Sequence, residues 1–308
     1  MNSKSFLIAT LFLAGFGSGM AQSNLLNAKT PDEIGQKTAE QELLDNDNPL
    51  PYGYVGDRDV LFAKKVWEII DLNQRINFPL LFPVEDNLSS DRKSLFNVLI
   101  TGIEEGSLDQ VYDDSYFTNK KTLEEIKSNF YISMLNDYGV SVMNQYPGET
   151  EESLKEREIL TAEHFDTQEV TANDVASYKI VGTWYFDKRQ GELKYRILGI
   201  CPMAIDALSK LRMGDSAEPI ELFWVFYPAA RDVLHQHKAF NEKNSAMPIT
   251  FDHLLNSRRF SAVVYKEENV YGDRMIKEYL KDNAQLQLLE SERIKNKIRN
   301  FEQDMWNY

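Results

Sequence analysis

The chain has 308 residues, 43% of them hydrophobic, enough apolar material for one large core or two smaller ones. Its 34 Lys and Arg against 48 Asp and Glu give a formal net charge of −14, which excludes the positive field that nucleic acid or an anionic membrane surface requires of a partner. A single cysteine, Cys201, excludes an internal disulfide.

Positions 1–21 read as a signal peptide. Lys4 precedes the apolar run Phe6 to Phe16, and the small residues Gly19 and Ala21 prepare cleavage between Ala21 and Gln22. No Cys stands at that junction, so a lipid anchor is not expected, and no later run reaches the roughly 20 apolar residues of a membrane span. The reading is an exported, periplasmic chain. Loss of Lys4 with the leader takes the net charge from −14 to −15. Flanked by Ile200 and Met203, Cys201 is expected as a small buried hydrophobe.

Residues 22–52 are polar, anchored only by Leu25, Leu26, Ile34, Leu43 and Leu44, and end in the turn-rich DNDNPLPYGYVGD. They read as an extension, either a solvated tail or an arm that docks on a neighbouring subunit. Residues 53–145 read as mainly helical. Asp57 or Asp59 is expected to cap a helix over Val60, Leu61 and Phe62, while Val66 to Leu72 fits helix and strand equally. From Asp91 to Ile103, the residues Leu95, Phe96, Leu99, Ile100 and Ile103 form one helix face, with Gly106 just past its end. Leu123, Ile126 and Phe130 repeat that spacing in a second helix, about Lys120 to Phe130.

Residues 146–170 are charged, open on Pro-Gly and form a connection that can hold one exposed helix over Ser153 to Leu160. Residues 171–272 carry the core. Thr171 is expected to cap a short helix from Ala172 to Ser177, and three strands follow between Tyr178 and Tyr227. On the first, Tyr178, Ile180, Trp184 and Phe186 share one face and Val181, Thr183 and Tyr185 the other. Lys188 to Gly191 turns the chain into a second strand in which Leu193, Tyr195 and Ile197 alternate with Lys194 and Arg196 until Pro202 stops it. The unbroken apolar run Leu222 to Tyr227 suits a central strand covered on both faces. Helices are expected at Ala229 to His237 and from a Thr250 cap to Arg258, then a fourth strand at Phe260 to Tyr265. Residues 273–308 contain no Pro or Gly and read as a long helix, broken near Asn283, which either packs or leaves the globule. The fold class is α+β: a mainly antiparallel sheet core in the C-terminal half with flanking helices, a helical N-terminal section and a long C-terminal helix.

No chemistry stands out in this pattern. His164, His235, His237 and His253 are scattered, and the HQH pair falls in a helical stretch, where positions two apart do not share a face. No GxSxG, GxGxxG or GxxxxGK[ST] occurs. The pairs Glu104 with Glu105 and Glu151 with Glu152 read as solvated faces of an acidic protein. Trp184, Tyr185, Trp224 and Tyr227 could line a sugar platform, although their alternation favours core packing. No catalytic, metal or cofactor-binding residue is expected.

The succession FDK (Phe186 to Lys188), RILGICP (Arg196 to Pro202), ELFWVFYPAAR (Glu221 to Arg231), HLLNSRRF (His253 to Phe260) and YKEEN (Tyr265 to Asn269) resembles the gliding-motility and type IX secretion family GldN, called PorN in non-gliding relatives. The resemblance implies a structural, non-enzymatic periplasmic subunit that joins the lipoprotein GldK in a ring beneath the outer membrane and contacts the periplasmic part of the motor protein GldM. The competing reading is an exported hydrolase or carbohydrate-binding protein with its site assembled in space.

Overall fold

A computed structural model describes residues 48–85, 93–240, 249–281 and 283–306. The signal peptide, the Ala21–Gln22 junction and residues 22–47 of the extension lie outside the described residues, as does the Asp91 start expected for the first long helix.

In chain order the strands are β1 (Val60–Asp71), β2 (Val111–Tyr112), β3 (Tyr131–Leu135), β4 (Phe165–Glu169), β5 (Val175–Asp187), β6 (Glu192–Ala204), β7 (Ile220–Glu221), β8 (Trp224–Phe226), β9 (Lys238–Ala239), β10 (Ile249–Thr250) and β11 (Val263–Glu267). The helices are α1 (Phe78–Leu81), α2 (Leu95–Glu104), α3 (Leu123–Phe130), α4 (Asp137–Met143), α5 (Glu151–Glu156), α6 (Ala207–Met213), α7 (Tyr227–Gln236), α8 (Phe251–Asn256), α9 (Ile276–Tyr279) and α10 (Ala284–Trp306). Seven strands make one antiparallel sheet in the order β11-β1-β5-β6-β8-β2, with β7 on the end of β6. The α+β class and the long C-terminal helix are as expected.

The largest difference from the sequence reading is β1. Asp57–Asp59 forms a single 3₁₀ turn without a side-chain cap, and the helix expected over Val60 to Phe62 is the start of a 12-residue strand. Pairing decides what local preference leaves open. β1 lies against β5 from Val60↔Asp187 to Asp71↔Ser177 and against β11 on its other side. The expected helix after Thr171 is likewise one turn, Ala172–Asp174, because β5 claims the chain from Val175.

The β5–β6 hairpin turns at Gly191, whose φ of +66° suits glycine. Pro202 does not stop β6. It lies inside the strand, opposite Tyr178, and its carbonyl accepts the N–H of Leu222. Proline returns no N–H, and the ladder on that side breaks there into β7 and β8. The expected unbroken strand from Leu222 to Tyr227 is therefore interrupted, although Leu222, Phe223, Trp224 and Val225 are all buried. Tyr227 already belongs to α7, with Pro228 in its first turn.

Period two sorts the sheet into two faces. Ile70 and Tyr178 form one row and Ile180, Ile200 and Val225 the next; both pack under α2, α7 and α8 in the main core. α2 is capped by Ser94, buries Leu95, Phe96, Leu99 and Ile103, and ends before Gly106 as expected. Opposite, Trp67, Val181, Cys201 and Trp224 form a smaller cluster under Tyr112 and Phe117. α10 stays on the body: Ile294 and Ile298 are buried with Val66 and Val264, and the Phe301 ring stacks on Phe62 at 4.4 Å. Its first turns present Leu286, Leu288 and Leu289 outward. Asn283 marks the expected break, its side chain accepting the N–H of Leu286. β3 and β4 pair as a separate two-stranded sheet beside α6.

Candidate functional site

A cleft of about 740 Å³ opens where the loop after β5, the returning β6 and helices α7 and α8 meet the segment that precedes β1. β5 ends in Asp187, β6 presents Arg196 outward, α7 carries Arg231 and α8 carries Asp252. The arrangement follows from secondary structure: Arg196 sits on the polar alternation of β6, and Arg231 faces α8 across the packed pair of helices.

Asp252 and Arg231 are the fixed centre. The carboxylate accepts Arg231 Nε at 2.9 Å and Nη2 at 3.0 Å, the Tyr227 hydroxyl at 2.9 Å and the Asn256 amide at 2.8 Å. This is a two-pronged buried pair with its remaining lone pairs satisfied. Burial, and then the Asp252 charge, push the Tyr227 hydroxyl far above its ordinary value. Asp187, at the other end, accepts the Arg189 backbone N–H at 3.0 Å. Burial opposes its ionisation, yet that N–H and the Arg189 guanidinium hold its carboxyl below the usual range. A general acid needs the reverse, a carboxyl raised toward neutrality.

Residues 48–56 lie across this cleft as an extended strap. Arg231 Nη2 donates to the Leu50 carbonyl at 2.7 Å, Arg196 Nη2 to that of Gly53 at 3.2 Å and Arg189 Nη2 to that of Tyr54 at 2.5 Å. The Tyr52 ring is held between two guanidiniums, 4.5 Å from Arg196 and 4.2 Å from Arg231, and its hydroxyl donates to Asn256. Cation–π contacts of this kind strengthen as they lose water, and burial raises the Tyr52 hydroxyl above its ordinary value. The chemistry on display is recognition of extended chain: donors for carbonyls and a slot for an aromatic ring.

A second buried pair ties β1 to the rest. Glu68, 1% exposed, accepts both terminal nitrogens of Arg258 at 2.9 Å and the Tyr195 hydroxyl at 3.2 Å. The guanidinium stacks on Tyr195 at 4.1 Å and Trp184 at 5.0 Å. Sequence reasoning missed both pairs. A legible signal was present, namely Arg231 and Arg258 standing inside otherwise apolar, aromatic blocks.

Residues weighed in the sequence separate. Trp224 and Tyr227 are buried, Trp184 faces Arg258 and Tyr185 lies by Arg196, so the four do not share a platform. Cys201 is buried as expected, and burial pushes its thiol well up. His164 closes a turn with Thr161, His237 bonds the Val233 carbonyl, and His235 and His253 border the cleft. Among the described residues no group of three or more His, Cys, Asp or Glu is placed to hold a metal ion. Glu104 pairs with Lys127 and Glu151 with Lys155 at the surface.

An α+β body in which one cleft grips extended chain, and whose buried carboxylates there are already matched by arginine, falls in the class of binding and assembly proteins. The chain belongs to the GldN family, described as gliding motility associated protein GldN, which matches residues 55–307. It is thereby a component of the gliding-motility and type IX secretion machinery, in a structural family and not a known enzyme family. No curated protein matches the chain. Among the described residues no helix is long and apolar enough to cross a membrane.

Proposed function

We propose that the protein is a periplasmic structural subunit of the type IX secretion and gliding machinery, held at the inner face of the outer membrane by the lipoprotein GldK, with which it forms a ring. In that ring it contacts further copies of itself and the periplasmic part of the motor protein GldM. The observation that carries this reading is the family match across residues 55–307. The arginine-lined cleft supports it, because a subunit that holds neighbours needs donors and aromatic slots on rigid elements more than it needs a proton-transfer pair. The leader at positions 1–21 supports export.

The test is capture of the tagged protein from envelope extracts with its partners identified. Recovery of GldK and GldM is the expected result. Recovery of neither, with the tagged protein folded and abundant, would overturn the reading.

A further inference from the structure

We propose that the outer edge of β3 takes an extended segment of a partner protein as a third strand, a segment uncharged in its middle and basic at its ends. The site shares no residue with the arginine-lined cleft. It stands on backbone groups and charge, independently of the family match.

β3 and β4 pair from Tyr131↔Glu169 to Leu135↔Phe165. Just beyond the two ends, the Val170 N–H donates to the Phe130 carbonyl at 2.8 Å and the Asn136 N–H to the His164 carbonyl at 3.1 Å. Hydrogen-bonded pairs alternate along an antiparallel ladder, so Ile132 and Met134 spend their backbone groups on β4 while Tyr131, Ser133 and Leu135 direct theirs outward. The Tyr131 N–H is taken by the Lys127 carbonyl at the end of α3. Among the described residues nothing meets the Tyr131 carbonyl or the N–H and carbonyl of Ser133 and Leu135. These are the groups that bind a strand added to a sheet edge.

Both edges of the large sheet are closed by contrast. On the outer side of β11 the Val264 N–H donates to the Ser291 hydroxyl at 2.9 Å, Lys295 Nζ donates to the Ala262 carbonyl at 2.7 Å, and Lys266 bridges to Met275. At the other edge Tyr112 of β2 is bridged by Lys120. β4 carries Asp166 and Glu169, charges of the kind that deter strand addition. β3 reads YISML, with no charge and no proline to guard it.

The surroundings of the edge define the occupant. Leu123 of α3, Tyr131 and Met134 of β3, and Tyr138 and Val140 of α4 are all exposed, Tyr131 by 55% and Tyr138 by 63%. The Tyr138 ring is already stacked on His164 at 4.9 Å, so part of this apolar surface is fixed before a partner arrives. The rim is acidic: Glu124, Asp137, Glu163, Asp166 and Glu169 are exposed, and among the described residues none of them is ion-paired. Lys127 is turned to Glu104. An apolar centre with an acidic rim complements a strand whose middle is uncharged and whose ends are basic. A second copy would bring the same acids and a net charge of −14, and like charges oppose it.

The test is hydrogen exchange at the Ser133 and Leu135 amides of the chain from Gln22 to Tyr308. Two settings are compared with the chain alone: the assembly captured from envelope extracts, and the chain mixed with the synthetic peptide KKTVTVTKK. Both amides are expected to exchange freely in the chain alone and to slow at least about tenfold in the assembly and with the peptide. The charge-reversed peptide EETVTVTEE and the proline-broken KKTVPVTKK are expected to give no protection. Ser133→Pro removes an outward N–H without breaking a bond to β4, so it should melt near the parent and lose the protection at Leu135. Ser133→Asp, which charges the edge, serves should the proline variant not fold. Amides that exchange in the assembly as fast as in the chain alone would overturn the proposal. Equal protection by the acidic peptide, or protection that grows with the concentration of the chain alone, would overturn the basic strand as occupant, the latter in favour of a second copy. If no partners are captured, the reading of the function fails while the peptide still decides the edge.

Discussion

Replacing Arg258 with Ala removes the partner of a carboxylate that has nowhere to go. Glu68 sits in the middle of β1, beside Ile180 of β5, 1% exposed and held by Arg258 and Tyr195. Stripping one partner from a buried ion pair costs about 3–5 kcal/mol, mostly the penalty of the orphaned charge. Lost stacking on Tyr195 and Trp184 adds about 1 kcal/mol. Arg258 also has a φ of +51°, a left-handed conformation that costs a residue with a Cβ about 1 kcal/mol, so Arg258→Gly should be milder than Arg258→Ala by that amount. The double variant Glu68→Leu with Arg258→Met removes both charges and should recover most of the loss. The assay is urea unfolding of the chain from Gln22 to Tyr308 followed by tryptophan fluorescence. An Arg258→Ala protein within about 0.5 kcal/mol of the parent, or a double variant no better than the single one, would refute the reasoning.

Trp224 is fully buried and donates its indole N–H to Glu221 at 2.7 Å, so Trp224→Ala should cost about 3–5 kcal/mol in the same urea assay. Removing residues 284–308 uncovers Val66 and Val264 and should lower the melting temperature; a truncation that melts like the parent would mean that α10 does not hold the sheet. Asp174 pairs with Lys210 at 2.5 Å; burial opposes its charge, but Lys210 and Thr171 outweigh it and lower its pKa below the ordinary 3.8. Its stabilisation is present above the unfolded value and lost as pH falls through the lower folded one, so Asp174→Asn should flatten the acid limb of stability below pH 3.8, read by melting against pH. Amino-terminal sequencing of the protein from cells should begin at Gln22, and retained Met1 would contradict export.

What could be read in advance was whatever a local pattern determines. The alternation from Tyr178 to Phe186 placed the right residues on each face of β5, and the spacing from Leu95 to Ile103 marked the buried face of α2. β1 was not legible, because VWEIIDL satisfies helix and strand alike and its partner strands lie beyond the helical section in sequence. The same holds for the ion pairs: Arg258 and Glu68 are 190 residues apart, and only the sheet brings them together. Pro202 misled for a related reason, since its place in β6 depends on which neighbours need its N–H. The strap read as polar extension, with nothing local to reveal that Tyr52 meets two arginines from β6 and α7.

Reconstitution tests the central claim most directly. The chain from Gln22 to Tyr308 is mixed with detergent-solubilised GldK, separated by size, and imaged by electron microscopy. The account predicts a single large species containing both proteins, seen as closed rings. Two proteins that elute separately, each folded and at concentrations well above those in the envelope, would contradict it.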